Sequence, residues 1–298
     1  MTLDEHRRTY AETIASTAGL QNPALVDAFA SIPREMFLPP GPWAVVGERD
    51  AGRAPRQTPS GEPRFVYENV SVAIDPARQL FNGSPAFLAK MIDRLALRPG
   101  SRVLHVGAGL GYYSAVMGHV AGPSGSVVAL EIDETLAAAA RTNLSTMPWV
   151  HALCGDGVAV GGPFDAILVN AGVTHPQDAW LDALAPEGRL ILPLTVEMPA
   201  MSATLGKGVM AMINRTTEGA FLAEILSFVA IYSAIGLRDH DIEARLGHAL
   251  RRTSFPNLTR LRREAHESGP ECWLHDGRCC LSMAPLDFQT IEPKATKP

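Results

Sequence analysis

The sequence predicts an α/β protein: a doubly wound, mostly parallel sheet with antiparallel strands added at one edge and appendages at both ends. Three observations predict it. Apolar strand-like runs at 102–106, 126–130, 149–153, 164–169 and 188–194 alternate with helical stretches, the rhythm of parallel strands joined by crossover helices. The first run enters a turn with glycine at every second position, Gly107, Gly109 and Gly111, and an apolar helix at 113–120 leaves it. After Thr195 the pattern changes to two strand-like runs, 208–214 and 220–231, joined by a polar turn, which reads as an antiparallel addition to the sheet edge.

Each element has its own local reason. Residues 3–18 carry Leu3, Tyr10, Ile14 and Ala18 on one helical stripe. Asn22-Pro23 has the cap-plus-first-turn form of a second helix, which runs to about Ser31 and is broken by Ile32-Pro33-Arg34-Glu35. The stretch 39–63, rich in Pro, Gly and charge, reads as a mobile surface loop, a lid or an insertion. Residues 65–74 alternate weakly and are extended. Ser84-Pro85 starts a helix with Phe87, Leu88, Met91, Ile92 and Leu95 as its buried stripe, stopped by Pro99-Gly100. A helix at 176–185, with Pro176 in its first turn, precedes the last core strand. Farther on, 239–252 is a helix, 273–279 a hairpin around Asp276-Gly277, and 291–298 a frayed end. Three regions follow: 1–100 as a helical and loop region on the substrate side, 101–235 as a ligand-binding core, and 236–298 as a helix and hairpin extension. No internal repeat is visible.

Composition narrows the function classes. The chain has 298 residues, 46% of them hydrophobic, with a formal net charge of −5. That balance argues against general binding to nucleic acid or a membrane surface. The basic run from Arg251 to Arg263 reads as a solvated helix face balanced by Glu264 and Glu267. No apolar stretch reaches membrane-spanning length and the first residues lack a signal-peptide pattern, so a cytoplasmic location is expected. The cysteines Cys154, Cys272, Cys279 and Cys280 form no C-x-x-C pair. They read as structural or incidental thiols, with Cys279 and Cys280 on opposite faces of a strand, and no metal site is expected.

The glycine turn reads as a nucleoside site. Twenty residues past Gly111, the second strand ends in Glu131, where a carboxylate can accept from both ribose hydroxyls. The dinucleotide fingerprint wants a glycine at position 112, which is Tyr112, so the spacing is G-x-G-x-G. A cofactor without phosphate, S-adenosylmethionine, relaxes the need for close approach to the helix N-terminus. The third strand leads into Gly155-Asp156-Gly157, where an acid can accept from the adenine amino group. The fourth ends in Asn170-Ala171-Gly172, at the carboxyl edge where open α/β sheets bind ligands.

Beyond these features, Ile32-Pro33-Arg34-Glu35-Met36-Phe37, Tyr67-Glu68-Asn69, the glycine motif, Phe164-Asp165-Ala166-Ile167-Leu168-Val169-Asn170-Ala171 and the run from Leu184 to Pro193 follow in that order. In this the chain resembles the protein-L-isoaspartate O-methyltransferases over roughly residues 5–235. The resemblance implies a class I, Rossmann-like methyltransferase fold. It also implies transfer of methyl from S-adenosylmethionine to a carboxylate of a protein or peptide, leaving S-adenosylhomocysteine. From the resemblance alone, Tyr67, Glu68 and Asn69 would lie near the methionine end of the cofactor. The family's signature, roughly Gln-Thr-Ile-Ser-Ala-Pro-His, is altered at 79–86: Leu80 stands for its threonine, Ala86 for its histidine, and its serine falls on Asn82 or Gly83 with Ser84 displaced. His105 stands where the first strand usually carries an acid.

A carboxylate nucleophile is ionised at neutral pH and needs alignment rather than a base, whereas an alcohol or amine would want one. Asn82, Ser84 and His175 are therefore the candidate catalytic residues. His175 is weighed as a base against a helix cap shared with Thr174, and Ser84 as a substrate-facing hydroxyl against a helix N-cap. The candidate cofactor residues are His105, Gly107, Gly109, Gly111, Tyr112, Glu131, Ile132, Asp156, Gly157 and Asn170. His105 fits a contact to the methionine moiety or a hydrogen-bonded histidine under the turn. Two alternatives stand beside carboxyl methylation: methylation of a small metabolite with His175 as base, and a cofactor-binding protein without turnover that acts through a partner. The oligomeric state is not legible.

Overall fold

The computed structural model describes residues 1–47, 50, 54–158, 161–198 and 204–285. The predicted frayed end at 291–298 lies outside them. Helix α1 (Leu3–Ala18) opens on a capping box, with the Thr2 hydroxyl accepting from the Glu5 amide and the Glu5 carboxylate accepting from the Thr2 amide, and closes on left-handed Gly19. Helix α2 (Pro23–Ser31) is capped by Asn22 as the sequence predicts, and a single 3-10 turn at Arg34–Phe37 follows. Strands β1 (Ala44–Gly47), β2 (Arg56–Gln57), β3 (Val70–Asp75) and β4 (Leu80–Phe81) form an antiparallel sheet in the order β2-β1-β3-β4. The stretch 39–63 is thus not a plain loop. Trp43 and Val45 pack on Val66, Val70 and Val72 in a small core of their own, an apolar signal diluted by the surrounding Pro and Gly.

Helix α3 (Pro85–Arg94) leads into the main unit: β5 (Arg102–Val106), α4 (Tyr112–Ala121), β6 (Ser126–Glu131), α5 (Glu134–Asn143), β7 (Val150–Cys154), β8 (Phe164–Val169), α6 (Asp178–Ala183) and β9 (Leu184–Glu197). Then come β10 (Leu205–Arg215), β11 (Phe221–Tyr232), α7 (His240–Arg252), β12 (Arg260–Arg262), β13 (Cys272–His275) and β14 (Cys280–Ser282). The ten strands run β13-β14-β12-β11-β10-β9-β8-β5-β6-β7. Strands β9-β8-β5-β6-β7 are parallel, and every further pairing is antiparallel.

Alternation along the strands divides the core into two layers. In β8, Ala166 and Leu168 pack beneath α1 to α4, whereas Ile167 and Val169 face α6 and α7. Helix α6 is shorter than the predicted 176–185, because Leu184 already pairs with Phe164 in the β8–β9 ladder and Gln177 is the first capping position. The basic run 251–263 is likewise not one helix face. Its arginines end α7 and cross into β12, with Arg262 paired to Glu264 and Arg263 to Asp178 and Asp182. The strand order reverses at β5, whose neighbours β6 and β8 lie in opposite directions of chain progress, and a cleft opens at their carboxyl ends.

Candidate functional site

A cavity of about 1350 Å³ opens at that reversal. Its floor is the glycine turn, with Gly107, Gly109 and Asn170 on the wall. Gly109 has φ +56°, and a Cβ there would press on Ile74 Cδ1 at 3.3 Å, so backbone rather than side chain faces the space. Glu131, 9% exposed, closes one side. One of its oxygens accepts from the Gly109 amide at 2.8 Å and the other from the Asp133 amide at 3.1 Å. A carboxylate offers about four lone-pair sites, so two remain for hydroxyls of a ligand. Ile132 and Leu136 give an apolar flank beside it, and Tyr112 and Tyr113 line the inner wall. Arg78, a cation on the wall, is already paired with Asp75 at 2.6 Å and Asp133 at 2.7 Å.

The other side of the cavity is built from the segments upstream of the glycine turn. Arg34 is fully buried and donates to the carbonyls of Val66 (2.7 Å), Glu68 (3.2 Å) and Val70 (2.6 Å) and to Asn82 Oδ1 (3.4 Å). Its guanidinium lies 5.8 Å from the ring centres of both Tyr10 and Tyr112. Asn82, which lines the cavity, also accepts through Oδ1 from the Val72 amide at 2.9 Å, and its Nδ2 is a buried donor without a hydrogen-bond partner. Ser84 occupies the N-cap position of α3 but makes no capping bond. Its hydroxyl donates to Asn69 Oδ1 at 3.3 Å, and that same oxygen accepts from the Ala86 amide at 3.0 Å. The Tyr67 hydroxyl donates to the Glu35 carboxylate and accepts from Arg7 Nε at 3.0 Å. Burial, and after it the Glu35 carboxylate, push the Tyr67 phenol up, so it stays protonated.

Five predicted site residues stand elsewhere. His105 is fully buried under the turn, its Nδ1 2.8 Å from Ser114 Oγ and its Nε2 without a partner, and burial pushes its pKa down to about 3. It is a buried histidine hydrogen-bonded beneath the turn and does not line the cavity. Gly111 is the cap of α4 at φ +92°, where a Cβ would meet Leu144 Cδ1 at 2.9 Å; it shapes the turn without lining the cavity. Asp156 is exposed and accepts from the Val158 amide, and the Gly157 carbonyl accepts from Trp180 Nε1 at 2.7 Å; neither lies on the wall. His175 is also off the wall. Bridges from Gly172 to Ser233 and from Val173 to Leu194 carry the chain away from the cavity, and His175 packs against Thr174 and Gln177. Burial holds its pKa below the ordinary imidazole value. Thr174 caps nothing in α6; its hydroxyl accepts from the Asp239 amide at 3.1 Å.

Comparison with known proteins agrees with this geometry. The family profile described as protein-L-isoaspartate(D-aspartate) O-methyltransferase matches residues 54–223, more than half of the chain. The chain belongs to this family. A protein-L-isoaspartate O-methyltransferase of Methylorubrum extorquens (strain PA1) is 37% identical over 194 residues, which covers 64% of this chain and 74% of the relative. A solved structure titled protein-L-isoaspartate O-methyltransferase has a TM-score of 0.62 at 21% identity, covering 93% of this chain and 87% of that one. Another, a putative protein-L-isoaspartate O-methyltransferase of Plasmodium falciparum in complex with S-adenosyl-L-homocysteine, has a TM-score of 0.56 at 20% identity, covering 77% of this chain and 98% of that one. These two show the doubly wound methyltransferase fold.

The chain is therefore an S-adenosylmethionine-dependent methyltransferase, and the residues present fit that cofactor. The bare-backbone floor at Gly107 and Gly109, the spare lone pairs of Glu131 and the apolar flank of Ile132 suit an adenosyl group. Sequence reasoning missed Arg34 as the hub of the cavity side built from the upstream segments. The signal was a lone arginine in an apolar run, Phe29 to Phe37, but burial of a charge cannot be read from sequence. It also missed a Cys/His cluster in the C-terminal extension, because C-x-x-C was sought and the spacing there is C-x-x-H.

Proposed function

We propose that this methyltransferase esterifies a carboxylate on a protein or peptide, as the name of its family describes. The observation that carries the reading is the chemistry of the cavity wall. Among the described residues that wall holds no histidine, lysine or cysteine, and its two carboxylates are already engaged, Glu131 by the Gly109 and Asp133 amides and Asp133 by Arg78, while it holds hydroxyl and amide groups, Ser84 and Asn82, beside the glycine turn. An alcohol or amine acceptor would want a base within reach. A carboxylate is already ionised and wants donors that hold one oxygen while the other attacks. Methylation of a metabolite with His175 as base loses its support from the placement of that residue.

In this reading the bound cofactor supplies a methyl group on a sulfonium, activated without help from the protein. The chain's own residues do the rest. Glu131 accepts from the ribose hydroxyls, and the Gly107–Gly109 backbone and Ile132 enclose the nucleoside. Asn82 orients the acceptor carboxylate from a position fixed by Arg34, and the Ser84 hydroxyl joins it by turning its one proton from Asn69 Oδ1 to the carboxylate. The volume exceeds the usual range for one small ligand, roughly 300–1,000 Å³, so cofactor and acceptor fit together. Phe228 and Ile235, both on the wall and about 60% exposed, offer apolar contact to a peptide chain entering from outside. We place the activity in the cytoplasm, a reading supported by four free cysteines and by the absence, among the described residues, of a helix long and apolar enough to cross a membrane.

The test is incubation with methyl-labelled S-adenosylmethionine and an isoaspartyl peptide, beside its aspartyl twin. The expected product is a methyl ester that releases labelled methanol under mild alkali. A base-stable product would overturn the carboxylate reading. Tight cofactor binding with no turnover on either peptide or on cell protein would point instead to a binding protein.

A further inference from the structure

In the extension beyond the methyltransferase core, four side chains converge: His266, Cys272, His275 and Cys280. Their ligand atoms all lie within 4.8 Å of one another, with Cys272 Sγ 3.6 Å from His266 Nε2. A tetrahedral zinc ion with thiolates at about 2.3 Å and imidazoles at about 2.0–2.1 Å holds its donors roughly 3.3–3.8 Å apart, so small side-chain adjustments suffice. We propose that these four residues bind one structural zinc ion as a Cys2His2 site.

The backbone is arranged for this convergence. Residues 272 and 275, three apart on one strand, would ordinarily point to opposite faces. A bulge between Cys272 and Leu274 shifts the β13–β14 register, from Cys272 opposite Ser282 to Leu274 opposite Leu281, and brings Cys272 round to the side of His275. His275 pairs directly with Cys280 across the hairpin. Of the two adjacent cysteines, Cys280 joins the cluster while Cys279 turns to Asp276, its Sγ 3.5 Å from Oδ2.

The surroundings are those of a closed metal site. His266 Nδ1 lies 2.9 Å from the Glu264 carbonyl, which can only accept, so Nδ1 carries the proton and Nε2 presents its lone pair to the cluster. His275 Nδ1 is buried with no hydrogen-bond partner, a cost that a bound cation would remove. The Gly269 amide donates to Cys272 Sγ at 3.4 Å. Arg252 donates to the carbonyls of Cys272 and Trp273 and Arg245 to that of His275, bonds that hold the β13 backbone under the cluster, and Arg262 sits opposite Cys280 in the ladder. Cys272 and Cys280 are buried, which suits a four-ligand structural ion rather than one with an open coordination position. Two thiolates and two imidazoles in a tetrahedral arrangement select zinc among the available divalent ions. The ion would tie the loop 263–271 to the β13–β14 hairpin, at the far edge of the sheet from the cofactor cavity. Nothing in this proposal depends on the identity of the methyl acceptor.

The test uses the full chain, expressed in zinc-supplemented medium and purified under reducing conditions without chelator. Elemental analysis should find about one zinc per chain, falling below roughly a fifth in Cys272→Ser and Cys280→Ser and unchanged in Cys279→Ser. Replacement by Co2+ in the wild-type chain should give the intense visible bands of a tetrahedral cobalt thiolate, a readout that does not require either serine variant to fold. The proposal is overturned if the reduced wild-type chain binds neither ion after reconstitution. It is equally overturned if zinc content survives both serine substitutions, or if the mass of the chain shows a Cys272–Cys280 disulfide in place of free thiols under those reducing conditions.

Discussion

Asn69 caps a helix to which it does not belong: its Oδ1 accepts from the Ala86 amide of α3 and from the Ser84 hydroxyl at once. One side chain thereby closes the N-terminus of α3 and aims a hydroxyl at the cavity. The division of labour is testable. Asn69→Ala should cost about 1–2 kcal/mol in urea unfolding, the usual penalty for a lost cap, and should also reduce turnover. Ser84→Ala should reduce turnover with a stability change under about 0.5 kcal/mol. If Ser84→Ala destabilised the fold as much as Asn69→Ala, the serine would be the cap and its catalytic assignment would fall.

Glu131 ties down the glycine turn, one of its oxygens holding the Gly109 amide, and in the proposed site its spare lone pairs meet the ribose. Hydrogen bonds to a charged acceptor contribute about 1.5–3 kcal/mol each, so Glu131→Ala should weaken S-adenosylmethionine binding by roughly ten- to a hundredfold or more in calorimetry. Glu131→Gln, which keeps one acceptor, should fall between the two. Unchanged affinity in Glu131→Ala would show that the nucleoside binds elsewhere.

The parts of this molecule legible in the sequence are those governed by local pattern. The parallel strands, the Asn22 cap and the antiparallel edge strands follow from periodicity and turn chemistry, and the structure has them within a few residues. The glycine turn and the acid that holds it were legible because glycine spacing and a strand-end acid are local signals. The acceptor side was not, because it depends on contacts between distant segments: Arg34 with Asn82, and Asn69 with Ser84. That His105 and His175 lie off the cavity wall was hidden for the same reason. A histidine at a strand end or before a helix reads alike whether the fold points it into a cavity or away. The convergence of His266 with Cys272, His275 and Cys280 depends on a bulge, which leaves no mark in the alternation of apolar residues.

Arg34 is a buried cation whose partners in the hydrogen-bond network are carbonyls and one amide oxygen, with no carboxylate among them. It holds the 66–70 segment and Asn82 in one place. Arg34→Met removes the charge but strands two or three buried carbonyls at about 1–3 kcal/mol each, so a loss of several kcal/mol is expected in urea unfolding. Arg34→Lys should recover only part of it, because an ammonium cannot fork between Val66 and Val70. Full stability in Arg34→Met would mean that the network positions nothing.

His105 should set part of the acid sensitivity of the fold. In the folded chain its pKa is held at about 3 by burial, whereas the unfolded chain titrates it near its ordinary value of 6.5. Between those values the unfolded chain binds a proton that the folded chain refuses. The contribution of His105 is therefore complete above about pH 6.5 and is lost as the pH falls toward 3, with a slope of at most about 1.4 kcal/mol per pH unit. His175, whose pKa is also lowered, acts in the same sense, so the measurement must be a difference. Urea unfolding of the wild type and of His105→Asn at pH 7.5, 6.5, 5.5 and 4.5 supplies it. Asparagine keeps a hydrogen-bonding group beside Ser114 and cannot take up the proton, so the gap between the two proteins should shift steadily in favour of the variant as the pH drops. A gap that stays constant from pH 7.5 to 4.5 would mean that His105 is charged in the folded state or reached by solvent, and its assignment as a neutral core residue would be wrong.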